Sequence, residues 1–355
     1  MNRYILILFL FFNFPLHSQS IWYDNAKVEL ETMLTGEQMP SFKNAVITVE
    51  NAFLDGQLDI DDFGVQIAIL KFLVQKKAQS IQIEYDKKDL DKVKNYASLF
   101  SVLKDTTILL VNSDTIFHTP YIYDFDDVFG SDDWQKMFVS KLLTTKKGNC
   151  HSLPYLYKIL ATEIGEDAHL ALAPNHIYIK HRAEKCGMYN TELTSGTFPI
   201  DAWLMASGYI SLESVQKGIY LDTLTEKESI ALCVIDLAQG YNHKYPDNDG
   251  TFVIKCCALA LQHFPDFVNA LLLKAETRLK QLQAMQKKYG YTYLKEVTKL
   301  EEGMKFWDEM NSLYMKIYQL GYRQMPEQMY VEWLTSLKTE KEKYTNKQVE
   351  QMNRN

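Results

Sequence analysis

The chain has 355 residues and a formal net charge of −7, with 46% hydrophobic and 13% aromatic residues. That length and apolar content support a substantial core, in two domains or in one domain with a helical extension. The acidic balance argues against a nucleic-acid partner, which usually meets a basic face, and no Gly-rich phosphate loop of the P-loop or dinucleotide type occurs.

The first twenty residues read as an export signal rather than as part of the fold. Arg3 supplies a positive start, ILILFLFFNFPL a short apolar run, and Ser18 and Ser20 small residues for cleavage. The run is short for a comfortable membrane span. Cys150 is the first cysteine, so no lipid anchor on an N-terminal cysteine is expected. The expected product starts at Gln19 or Ile21, keeps no membrane span, and is exported to a periplasmic or extracellular space.

Next come three helical patterns: FKNAVITVENAFL, with Phe42, Val46, Val49 and Phe53 at helical spacing, then residues 63 to 76 and 88 to 104. TTILLV and TIFHTPYIY read as strands or extended segments. Ser131, followed by two aspartates, is a fair cap for a helix carrying Trp134, Phe138 and Leu142, which ends at Lys146-Lys147.

The Gly148-Asn149-Cys150 turn follows directly. Leu153, Leu156, Leu160 and Ile164 predict a buried helix over about 150 to 165, stopped near Gly165. AHLALA then runs back as a strand, Pro174-Asn175 turns, and HIYIKHR and GMYNTEL form a hairpin. A hairpin centred on Glu184 sets His176 opposite Glu192 and Tyr178 opposite Asn190, on one face. A thiol needs a base, and the base needs an acceptor to fix its tautomer. Cys150, His176 and Glu192 are therefore the candidate catalytic set, with Asn190 and then Asp201 as alternative orienters. At a helix start, Cys150 would feel exposed N–H groups that favour the thiolate, and its own or a neighbouring N–H could hold an oxyanion.

From about 225 the pattern is wholly helical: SIALCVIDLAQGY, TFVIKCCALALQHFP and DFVNALLLKAETRL, with two or more helices over 286 to 340 and a polar tail. This region reads either as a separable module or as a cap on the α+β core. Five cysteines is an odd count for an exported protein. Cys150 is the expected free thiol. Cys233, Cys256 and Cys257 read as packed residues, with a Cys233 bridge to either of the others open if their helices are antiparallel neighbours. His151, His169, His176, His181, Cys150 and Cys186 lack the CxxC or HExxH spacing of a zinc site, so no metal is expected.

Gly148, Cys150, His176 and Glu192 resemble the core of the transglutaminase-like superfamily of papain-type Cys-His-acid proteins. ALALQHFPDFVNALLLKA resembles a tetratricopeptide junction, with Ala258, Phe264 and Pro265 at its small, aromatic and proline positions. The closer likeness is to a bacterial branch combining both parts, whose helical lead-in is similar to FKNAVITVENAFLDGQLDIDDF. The superfamily usually has an aspartate where Glu192 stands, and an aromatic just after the histidine, where this chain has Ile177 and Tyr178. The resemblance implies an α+β fold with a transglutaminase-like core and an all-α tetratricopeptide-like C-terminal region. The expected divisions are signal 1–20, helical lead-in 21–106, α+β core 107–222, helical region 223–345 and polar tail 346–355. It also implies an amide hydrolase or acyltransferase working through a Cys150 thioester on peptides or proteins, without a cofactor. The alternative is a non-catalytic interaction module of the cell envelope, with a protein partner on the C-terminal helices. A solvent-open groove beside Cys150 favours the enzyme, and a thiol sealed under aromatics favours the binder.

Overall fold

The computed structural model describes residues 21–111, 114–336 and 339; the expected export signal and the polar tail lie outside them. Four helices lead the chain: α1 (Ile21–Thr35), α2 (Phe42–Phe53), α3 (Ile60–Ser80) and α4 (Leu90–Lys104). Side-chain oxygens start two of them. Ser41 accepts from the Asn44 N–H before α2, and Asp59 from the Asp62 N–H before α3, satisfying donors that a helix start leaves without partners.

Strands β1 (Thr107–Val111) and β2 (Asp114–His118) form an antiparallel hairpin. β3 (Ile122–Tyr123) pairs in parallel with β4 (Lys147–Gly148). Between them the single helix expected from Ser131 is broken. Residues 134–137 form one 3₁₀ turn capped by Asp133, Phe138 is extended, and α5 (Val139–Thr145) begins afresh. The cause is the buried carboxylate of Glu50 on α2, which accepts the Val139 N–H at 2.6 Å and the Ser140 N–H at 3.0 Å. A carboxyl group that accepts two such N–H groups fixes a helix N-terminus where it sits.

Burial pushes the Glu50 carboxyl up to about 7, against the lowering pull of the Ser140 and Val139 hydrogen bonds and of His151. The folded state therefore holds this proton more tightly than the unfolded chain, and its contribution to stability is lost as pH rises from 4.5 through about 7. The shift corresponds to roughly 3 kcal/mol. Urea unfolding should show the stability of wild type relative to Glu50→Gln falling by about that much between pH 4.5 and 8. A difference independent of pH would refute it.

The helix α6 (Ser152–Glu163) is buried on nearly every side and packs against α3, α4, α5 and the sheet. That sheet is antiparallel, in the order β5 (His169–Ala173), β6 (His176–Ala183), β7 (Gly187–Thr191). The mixed α and β content agrees with the expected α+β class. Short helices α7 (Asp201–Ser207) and α8 (Leu212–Gln216) lead to α9 (Glu226–Lys244), α10 (Thr251–His263), α11 (Val268–Tyr289) and α12 (Glu301–Gln319). After a non-helical stretch, residues 327–336 form a last helix, α13. One apolar core runs from Tyr23 on α1 to Leu334 on α13. No described helix is long and apolar enough to cross a membrane.

Candidate active site

Three local features bring the site together. Gly148 passes so close to its surroundings that a Cβ there would lie 2.5 Å from Ser152 Oγ and 2.7 Å from Leu142 Cδ1, so no other residue fits without displacing them. Asn149 then caps α6: its Oδ1 accepts the N–H groups of His151 at 3.0 Å and Ser152 at 3.1 Å. Cys150 thus precedes the helix by two residues rather than opening it. Its own N–H makes no hydrogen bond among the described residues, while the Asn149 N–H goes to Ser152 Oγ and that of His151 to Asn149 Oδ1. Finally, Asn175 adopts the left-handed conformation (φ 55°) in the turn that pairs Ala173 with His176, returning His176 to the thiol.

The histidine is held on both sides. Glu192 Oε2 lies 2.5 Å from His176 Nε2, and Glu192 Oε1 accepts the Thr194 N–H at 2.6 Å. On the other side, the Tyr330 hydroxyl lies 3.0 Å from His176 Nδ1 and donates to Cys150 Sγ at 2.9 Å. Cys150, His176 and Glu192 come together as the sequence predicts, by a different register. The hairpin is centred on Lys185, since Ala183 pairs with Gly187 and Lys180 with Asn190. The three-residue loop ends at Gly187, whose φ of 72° suits a bulged turn. This moves each partner by two residues and preserves the face, so Glu192, just past β7, reaches His176 diagonally.

Asn190 does not orient His176. It donates to Pro199 O at 2.9 Å and Asp201 Oδ1 at 2.7 Å, and Asp201 also takes the buried Lys180 ammonium at 3.1 Å. Of the alternative orienters, Asp201 therefore neutralises Lys180 and Asn190 braces Asp201. His181 packs elsewhere, stacked on Tyr96 with ring centroids 4.1 Å apart. Among the described residues no three His, Cys, Asp or Glu side chains converge to hold a metal. All five cysteines are free, including Cys233, Cys256 and Cys257, and Cys186 alone of them is exposed.

The site is electrostatically polarised. Burial lowers the affinity of His176 for its proton, but the Glu192 carboxylate and the bond to Cys150 outweigh it and push the imidazole up to about 10. Burial raises the Cys150 thiol, yet the hydrogen bond and charge of His176, the Tyr330 hydroxyl and nearby His151 hold it below its ordinary value. Glu192 likewise falls below the usual carboxylate range, its burial outweighed by His176 and the Thr194 N–H. All three shifts run toward the charged forms, a thiolate, an imidazolium and a carboxylate in a row.

Sequence reasoning missed the residues that close the site. Cys150 is 9% exposed, His176 3% and Glu192 1%. Trp333 sets its ring edge-on to His176, with centroids 5.0 Å apart, and Phe129 lies 5.5 Å from the Tyr330 ring. Nothing local in 325–336 marks Tyr330 or Trp333 as site residues. The Asn149 cap was legible, since an Asn before an apolar helical run is a common start signal. His151, beside the thiol, donates through Nδ1 to Met137 O at 2.9 Å and turns Nε2 to within 3.0 Å of Asp236 Oδ1. No protein-family model matches the chain, and neither does any curated protein or solved structure.

Proposed function

We propose that the protein is a transglutaminase-like cysteine hydrolase or acyltransferase of peptide or protein amides, exported, and seen here closed. One observation carries the reading: His176 is gripped by buried Glu192 on Nε2 and turns Nδ1 toward Cys150, which favours the thiolate–imidazolium pair. The Cys150 thiolate would attack the amide carbonyl carbon, forming the C–S bond while the carbonyl π pair moves to oxygen. The unengaged Cys150 N–H is a donor for that oxyanion. Collapse breaks the C–N bond, and the departing nitrogen takes the His176 proton. Neutral His176 then accepts a proton from water, or from a second amine, as it attacks the thioester. Acid or new amide leaves, and the thiolate returns. Glu192 stays ionised throughout and keeps the imidazole oriented. Hydrolysis is preferred to cross-linking because water needs no second substrate site.

The second reading, a non-catalytic interaction protein, is favoured by the sealing of Cys150 beneath Tyr330 and Trp333. Site-resolved alkylation of the full chain followed by mass spectrometry separates the two. Cys150 should react with a midpoint below the ordinary thiol value of about 8.5, however slow its absolute rate. His176→Ala should move that midpoint upward. An ordinary profile indifferent to His176 overturns the catalytic reading.

A further inference from the structure

The helix α13 shows only one apolar face to the molecule. Tyr330, Trp333 and Leu334 are buried at i, i+3 and i+4, while Gln328, Met329, Val331 and Glu332 face solvent. Its approach is pinned by Asn175 Nδ2, which donates to Met325 O at 3.2 Å, and by the Trp333 indole N–H, which donates to Ser207 Oγ at 3.1 Å. The segment therefore lies in a groove bounded by Phe129, Asn175, His176 and Ser207, with the thiol at its floor. A reacting carbonyl must come within about 3–3.5 Å of the sulfur. The Tyr330 oxygen already occupies that place, 2.9 Å from Sγ and 3.0 Å from Nδ1. The two occupants exclude each other.

We propose that this groove is a binding site for a polypeptide segment carrying a Tyr-x-x-Trp pair of aromatic anchors, and that residues 325–336 are its resident occupant. The groove offers what such a guest needs: an aromatic wall at Phe129, an amide at Asn175 for a main-chain carbonyl, and a hydroxyl at Ser207 for an indole N–H. Tethering in the same chain keeps the resident at a high effective concentration. Access to Cys150 then requires the segment to leave, by competition or by movement about the non-helical stretch 322–326. That consequence rests on the catalytic reading above, whereas the groove's preference for aromatic-anchored peptide does not.

The chain carries its own controls. Cys186 is exposed, while Cys233, Cys256 and Cys257 are 1%, 0% and 0% exposed. In full-length protein with Tyr330→Ala and Trp333→Ala together, alkylation of Cys150 relative to Cys186 should rise at least about tenfold, the three buried cysteines staying protected. A synthetic peptide of residues 322–336 should restore protection saturably, and the same peptide with alanine at 330 and 333 should not. Unchanged Cys150 labelling, or a peptide without effect, overturns the proposal. If the double variant exposes all four inner cysteines it has unfolded, and Trp333→Leu replaces it, with a several-fold rise expected and no rise refuting. A Cys150 that opens and is re-covered by peptide, but titrates as an ordinary thiol indifferent to His176, sinks the catalytic reading and leaves the groove standing.

Discussion

Replacing Glu192 with alanine should destabilise the fold by about 3–5 kcal/mol, far more than loss of an exposed charge. The His176 side chain is 0% exposed and that of Glu192 2%. Removing the carboxylate strands a buried imidazolium, which answers by losing its proton. The His176 titration, followed by NMR, should fall from about 10 to below neutrality, and the thiolate, losing its counter-ion, should revert to a thiol. The sign with pH follows. His176 contributes its share fully below its ordinary value of 6.5, and that share is lost as pH rises through about 10. Glu192 and Cys150, both lowered, contribute above their ordinary values and lose their shares in acid. The network is therefore strongest around neutrality and weakens in both directions. Asn190→Ala is the control. It removes two hydrogen bonds, those to Pro199 O and Asp201 Oδ1, at a cost of about 0.5–1.5 kcal/mol each, but should leave the His176 titration in place, since Asp201 keeps Lys180. If Asn190 moves that titration and Glu192 does not, the assignment of the orienter is wrong.

A fragment of residues 222–345 should fail to fold cooperatively and should aggregate. Ser229 to Ala238 on α9 is buried almost throughout, because α10 covers one side and α1 and α2 the other. The Tyr23 ring of α1 packs edge-on against Tyr241 and Phe252, at 5.1 and 5.9 Å. Glu226 accepts the Phe42 N–H, and Asp236 accepts the Tyr155 hydroxyl. The fragment loses these partners and bares apolar side chains worth about 1.5–3 kcal/mol each when buried. Circular dichroism and urea unfolding check this. A sharp, reversible transition in the fragment would show a self-sufficient unit and restore the separable-module reading.

Periodic features were legible in the sequence. The helices at 42–53, 90–104 and 152–163 follow from apolar spacing, and β5, β6 and their Pro174-Asn175 turn from alternation and turn chemistry. Cys150, His176 and Glu192 were found because side-chain parity survives a two-residue shift of register. What stayed hidden depends on distant chain. The break at Phe138 comes from Glu50, 89 residues before Val139. The capture of Asn190 by Asp201 depends on where the loop after β7 settles. The hydroxyl beside the thiol arrives from 180 residues downstream, and helical spacing around Tyr330 says only that it is buried, not what it touches.

That separation also orders events in time. A ribosome adding about 5–20 residues per second completes the Gly148-Asn149-Cys150 turn roughly ten to forty seconds before it reaches Tyr330. His176 and Glu192 follow the cysteine within 42 residues (192 minus 150), so the charged trio can assemble early, while its cover does not yet exist. Each newly made molecule passes through an interval in which the chain holds the thiol, its base and its acid but not yet Tyr330 or Trp333. Oxidants and electrophiles met during synthesis have a chance at Cys150 that they lose once the chain is finished.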